Sequence, residues 1–181
     1  MATSTMRRLY IAALSILISL TGCASGPETV SAGLPETVRA FIDDVVKPTK
    51  ARIQSEGLEH NDRDAYLHAL LDMRKQAYDS GLWLPHMPAE WGGMGLGHVE
   101  LAMVQAEAAK SYYGPWVLNC QAPDEGNMHT LLHWATDEQK QKYLKPLCDG
   151  RAWSCFAMTE PEVAGSDPTL IRTHAYQDGE E

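Results

Sequence analysis

The sequence predicts a mainly α chain that turns toward a sheet only near its end. Three observations lead there. Apolar residues recur at i, i+3, i+4 and i+7 spacing between Pro35 and Leu147. Capping residues precede several of these runs, and glycine or proline follows them. Strand-like alternation first appears after Phe156. With 181 residues, 44% hydrophobic and 22% charged, the chain has room for about one packed domain.

Residues 1–23 form the first segment. Met6-Arg7-Arg8 is a short basic start, and Leu9 to Leu20 is apolar apart from Ser15 and Ser19. That run is short for a membrane span and suits a signal-peptide core. Leu20-Thr21-Gly22-Cys23 follows at once and resembles a bacterial lipoprotein signal, in which the cysteine receives lipid before cleavage. Cys23 is therefore the expected lipidation site, and a membrane-anchored lipoprotein the expected state. The alternative is a cytoplasmic chain in which Cys23 is an incidental thiol. Residues 24–34, with Gly26, Pro27, Gly33 and no long apolar run, read as a linker.

The helical body follows. A first helix is expected over about Glu36 to Val46, with Val38, Phe41, Ile42 and Val45 as its apolar stripe and Pro48 ending or kinking it. Asn61 to Asp64 offers caps for a second, Asp64 to Ser80, with Leu67, Leu70, Leu71 and Ala77 inward and Gly81 as the stop. A third covers about His98 to Ser111, with Leu101, Val104 and Ala108 on one face. A fourth covers Asn127 to Ala135. The fifth, Asp137 to Leu147, opens on Thr136 with Gln139 as capping-box partner and is shortened by Pro146.

Charge and cysteines exclude some classes. The formal net charge is -9, and beyond Arg7 and Arg8 there are 13 basic against 24 acidic residues. Nucleic-acid binding needs a basic footprint, which is absent. Cys120, Cys148 and Cys155 have no C-x-x-C spacing and read as reduced, partly buried thiols, with a disulfide open if the chain is exported.

Several motifs invite chemistry. Gly93-Met94-Gly95-Leu96-Gly97 precedes a helix, but its lead-in, Pro85-His86-Met87-Pro88, is no strand, so a tight turn is expected rather than a phosphate loop. His129 and His133 stand i, i+4, yet neither the metalloprotease glutamate nor an obvious third ligand accompanies them, so no metal is expected there. Glu160 and Glu162 are read as solvated or capping carboxylates. The segment Phe156 to Asp167, FAMTEPEVAGSD, is different. It joins an apolar surface, Phe156-Ala157-Met158, to the Thr159 hydroxyl, a Glu160-Pro161 turn, and Gly165-Ser166-Asp167. A flavin ring needs an apolar face with donors along its polar edge, and a pyrophosphate needs N–H groups and hydroxyls.

That segment resembles the flavin-contact signature of acyl-CoA dehydrogenases, a T-E-P turn followed by G-S-D, and is similar to the branch reading T-E-P-x-V-A-S-S-D. Pro88 to Gly95 resembles the family's P-x-E-x-G-G-x-G turn, and Asn119 to Met128 and Asp137 to Leu147 resemble its later N-terminal helices. The resemblance covers about Leu34 to Glu181. It implies an acyl-CoA dehydrogenase N-terminal helical domain over residues 35–152 and the first strand of a truncated middle β-domain over residues 153–181.

The resemblance further implies FAD as cofactor, with Phe156, Met158 and Thr159 lining the flavin and Thr159 bonding its pyrimidine end. Gly165 and Ser166 would meet the FAD pyrophosphate, and Ser166 also the acyl-CoA substrate. Family members remove the α-proton with a carboxylate, pass the β-hydride to flavin N5 and hand electrons to an electron-transfer flavoprotein. The implied protein is a homo-oligomer, or one whose further domains are supplied separately. No residue here matches the family's catalytic base. The expected function is thus the N-terminal portion of an FAD-dependent acyl-CoA dehydrogenase, inactive alone; the alternative is a non-enzymatic, lipid-anchored helical domain.

Overall fold

The computed structural model describes residues 33–165 and 167–179. Cys23, the apolar run before it, most of the linker and Ser166 lie outside those residues. The described chain is mainly helical, as its apolar spacing predicts. None of its helices is long and apolar enough to cross a membrane.

Helix α1 is Leu34–Phe41, with Pro35 in its first turn. Pro48 was expected to end or kink this helix, yet the chain stays helical through a π turn, Ile42–Val46, into α2, Lys47–Glu56. A helical proline lacks an N–H, and its ring crowds the carbonyl four residues back. The π turn opens the ladder just ahead of it, where the Lys47 N–H reaches back to the Ile42 carbonyl. The extra residue also shifts the phase of the apolar stripe. Val46 is therefore fully buried, while Val45, expected inward, is only half-buried.

After the short α3, Leu58–Asn61, the helix α4 spans Arg63–Asp79. Its cap is Asp62, whose carboxylate accepts from the Ala65 N–H at 2.9 Å. The buried face is Ala69, Leu70, Met73, Arg74 and Ala77. Leu71, expected inward, is exposed, because it stands about 60° beyond Arg74, the edge of that buried arc.

The loop from Leu82 to Gly97 is packed rather than loose: Leu82, Trp83, Leu84 and Met87 are buried. It folds back on itself through Met94 N–H to Leu84 O, Gly95 N–H to Met87 O and Leu96 N–H to Pro85 O. Gly92 and Gly95 take φ of 84° and 64°, as the tight-turn reading requires. At Gly93 a Cβ would lie 2.0 Å from the Met87 carbonyl oxygen, so only glycine fits.

Helix α5, His98–Ala108, packs on α1. Glu107 joins them, bonded to Arg39 at 2.8 Å and to Lys110 at 2.6 Å, and these two cations hold its carboxyl down at about 2. The short α6, Gly114–Val117, packs on α4 and α5. Helix α7 is Asp124–Trp134, three residues longer at its start than expected.

The last helical run begins with α8, Asp137–Gln139, under the predicted capping box: the Gln139 N–H donates to Thr136 Oγ1 and the Thr136 N–H to Gln139 Oε1. A second π turn, Lys140–Leu144, precedes Pro146, and α9, Lys145–Cys148, completes the run. Pro48 and Pro146 are thus accommodated in the same way. Cys120 and Cys148 are buried thiols and Cys155 is exposed; all three are free. Beyond α9 the described residues form no strand ladder. The segment runs over the helices and is held there by side chains.

Candidate functional site

The segment from Gly150 to Thr173 carries the motif, and buried polar groups position it. Gly150, at φ 69°, ends the last helical run. A Cβ there would lie 2.8 Å from the Trp83 ring and 3.2 Å from Arg74 Nη2. Trp83 donates its indole N–H to the Cys148 carbonyl at 2.8 Å, and Arg74 lies between the rings of Trp83 and Trp116 at 4.6 and 4.4 Å. Further along, Ser154 donates both its backbone N–H and its hydroxyl to Asp124 Oδ1, at 2.7 and 2.6 Å. Asp124 is 5% exposed and opens α7. Asn127, one turn on, donates to Ser154 Oγ at 2.8 Å. The N-terminus of α7 thereby clamps the strand-like segment.

The motif residues follow this clamp. Phe156 and Met158 remain 55% and 39% exposed, and a Cβ at Gly126 would touch the tip of Phe156 at 3.7 Å. The Glu160-Pro161 turn reverses the chain. Gly165 comes back beside Met158 and Thr159: a Cβ there would lie 3.5 Å from the Met158 carbonyl and 4.0 Å from Thr159 Oγ1. Gly165 is thus brought beside the Met158 carbonyl and the Thr159 hydroxyl, while Phe156 stands two residues before Met158 and lies against Gly126 of α7. Ser166 follows Gly165 directly in sequence and lies outside the described residues.

Glu160 has a structural role, in keeping with a capping carboxylate. It accepts from the backbone N–H groups of Arg172 and Thr173, at 2.9 and 2.7 Å, and from the Thr173 hydroxyl. Those bonds, the Thr173 hydroxyl foremost, lower its pKa. Glu162 is exposed, 4.0 Å from Arg172. Asp167 likewise accepts from the Thr169 N–H and hydroxyl, which start a short 3₁₀ turn, Pro168–Leu170.

Two open grooves lie nearby. One, of about 360 Å³, is lined by aromatic residues including Tyr66, Tyr112, Trp116 and Trp153. The other, of about 520 Å³, runs between α7 and α9 and ends at Trp153 and Ser154. Neither includes Phe156, Met158, Thr159 or Gly165, all four of which are exposed, so the motif presents an open edge to solvent.

The histidine pair also resolves. His133 stacks on His129 with ring centroids 6.3 Å apart. The nitrogen contact of His129 is with His86 instead: His129 Nε2 and His86 Nδ1 are 3.1 Å apart. His86 is buried, and its Nε2 lies 3.0 Å from the Asn119 carbonyl. Burial is the main cause pushing His86 down to about 4. Sequence reasoning missed His86, Asp124 and Arg74. No local pattern marks them, because their hydrogen-bond partners lie 30 to 43 positions away.

The acyl-CoA dehydrogenase N-terminal domain family matches residues 32–151. Acyl-CoA dehydrogenase family member 11 of Homo sapiens is 43% identical over 106 residues, 59% of this chain and 13% of that protein. Acyl-CoA dehydrogenase family member 10 of Mus musculus is 37% identical over 158 residues, 83% of this chain and 15% of that protein. A solved candidate acyl-CoA dehydrogenase from Mycobacterium abscessus superposes with TM-score 0.66 at 35% identity, over 80% of this chain and 38% of that one. The chain therefore spans a small part of the length of these relatives.

Proposed function

The chain belongs to the acyl-CoA dehydrogenase family, and from that premise we propose that it supplies one wall of an FAD-dependent site for the α,β-dehydrogenation of acyl-CoA thioesters. The observation that carries the reading is the return of Gly165 onto the Met158 carbonyl and the Thr159 hydroxyl. Its residues suit the group. Phe156 and Met158 offer apolar surface to a ring face, Thr159 a hydroxyl to the ring's polar end, and Gly165 with Ser166 small, polar groups for a pyrophosphate. Bound there, FAD would supply the two-electron acceptor. The chain's own residues orient it. The Asp124–Ser154 clamp holds the edge in place, and Glu160 is engaged by Arg172 and Thr173 rather than free to act as a base. The α-proton is then taken by a carboxylate contributed from outside these residues. Acyl-CoA as substrate, an electron-transfer flavoprotein as acceptor and a homo-oligomeric assembly complete the reading.

An open edge does not bury a ligand of this size, and ligand sites bury most of their ligand's surface. We expect residues from Ser25 onward, purified alone, to retain no stoichiometric FAD and to oxidise no acyl-CoA, measured by flavin absorbance. Co-expressed with the middle and C-terminal segments of a family relative, the chain should become yellow and bleach with acyl-CoA. Thr159→Ala should then weaken flavin retention about fivefold, the worth of a hydrogen bond of about 1 kcal/mol, and His133→Ala should not. Yellow, substrate-bleached protein from the isolated chain would refute the need for other segments. A completed assembly that stays colourless would favour the non-enzymatic, lipid-anchored reading.

Membrane attachment through Cys23 is the localisation we propose, on the order Arg7-Arg8, apolar run, Leu20 to Cys23. Mass spectrometry of a bacterial membrane fraction should find acylated Cys23 as the mature N-terminus. An intact soluble chain starting at Met1 or Met6 would sink the idea.

A further inference from the structure

We propose that His86, Glu125 and His129 form a binding site for one divalent transition-metal ion of the zinc class, which fastens the loop after α4 to helix α7. The three side chains converge from two elements that are far apart in sequence. Glu125 and His129 are four residues apart on α7 and share a face, and His86 meets them from the packed loop. One donor atom from each lies within 4.8 Å of the other two. His86 Nδ1 and His129 Nε2 are already 3.1 Å apart. Two imidazole ligands of one tetrahedral ion, each at about 2.0–2.1 Å, stand about 3.4 Å apart.

The surroundings orient the donors. The Asn119 carbonyl, 3.0 Å from His86 Nε2, places the proton on that nitrogen and leaves Nδ1 as a lone-pair donor facing His129. A metal-bound imidazole is held in this way, by an acceptor on its other nitrogen. In the metal-free state the His86–His129 contact needs a proton on His129 Nε2. The ion takes that proton's place, and His129 carries its proton on Nδ1 instead, so both imidazoles bind neutral. Gln105 Nε2, 3.1 Å from Glu125 Oε2, steadies the carboxylate. Glu125 and His129 are only half-buried, which leaves the ion a way in and room for a water as fourth ligand. Two imidazoles and one carboxylate suit zinc and its first-row neighbours, whereas magnesium and calcium favour oxygen ligands.

The test uses the 181-residue chain with a histidine-free affinity tag. The protein is stripped with a chelator, then titrated with Zn(II), and separately with Co(II) as a spectroscopic probe. We expect one bound equivalent by elemental analysis after dialysis, and the intense visible d–d bands of a tetrahedral Co(II) site. Glu125→Gln and His129→Gln should each lower affinity at least tenfold, while His133→Ala leaves it unchanged. Both ligand variants keep a hydrogen-bonding side chain, and matching apo circular-dichroism melts would exclude unfolding as the cause of the loss. Absence of a bound equivalent, a Co(II) spectrum like that of the aqueous ion, or parent-like affinity in both ligand variants would overturn the site and leave a plain hydrogen-bonded histidine pair.

Discussion

Arg74→Ala is expected to destabilise the fold by about 3 kcal/mol, the balance of several opposing effects. Arg74 is 4% exposed, and its guanidinium lies between Trp83 and Trp116, 4.6 and 4.4 Å from the two ring centroids. A desolvated cation over an aromatic face contributes about 2 kcal/mol, and here one cation serves two rings. Nη1 also donates to the Trp116 carbonyl at 2.9 Å, and a buried acceptor left without its donor costs about 1–3 kcal/mol. One effect opposes these. Nη2 has no hydrogen-bond partner, and burial pulls the Arg74 pKa to about 10, so alanine also relieves a desolvated charge. The packing and cation–π losses outweigh that relief, because the Trp–Arg–Trp stack carries the base from which Gly150 leads to the motif. Arg74→Lys should fall between, since a compact ammonium cannot stack on two rings at once. Urea melts at constant m-value would measure both; an Arg74→Ala midpoint equal to the parent's would show that the stack contributes nothing.

Gly114→Ala should cost about as much, for a steric reason. A Cβ at this position would lie 1.9 Å from the Ala108 carbonyl oxygen and 3.0 Å from Ile42 Cδ1. Ile42 can turn aside, but the carbonyl belongs to the backbone at the end of α5 and cannot. Overpacking a tight contact costs about 1–3 kcal/mol, and a backbone clash this close belongs at the upper end, about 3 kcal/mol. The turn from Ala108 to Gly114 would have to open, separating α6 from α5. Gly33→Ala is the control: no atom lies within 4 Å of the place its Cβ would take, and its φ is -102°, so it should melt with the parent or slightly above it. Equal melting of Gly114→Ala and the parent would refute the clash.

Local physics determined much of this protein from sequence alone. Apolar spacing marks the helices because one face of each must leave water. Asp62 and Thr136 mark two helix starts because their side-chain oxygens satisfy N–H groups that have no partner in the first turn. The T-E-P and G-S-D groups could be read as one motif because they stand only a few residues apart. The tertiary structure decided what depends on distant partners. Periodicity follows an unbroken helix, so it did not foresee that a π turn would seat Val46 deeper than Val45, which packs on the core only half-buried, and it makes no allowance for a buried arginine such as Arg74. It could not foresee that Asp124 would hold Ser154, or that His129 would turn from its helix neighbour His133 to His86. An apolar face says which side of a helix goes inward; only the packed chain says which polar group waits there, because that partner is chosen by geometry across the fold and not by spacing along it.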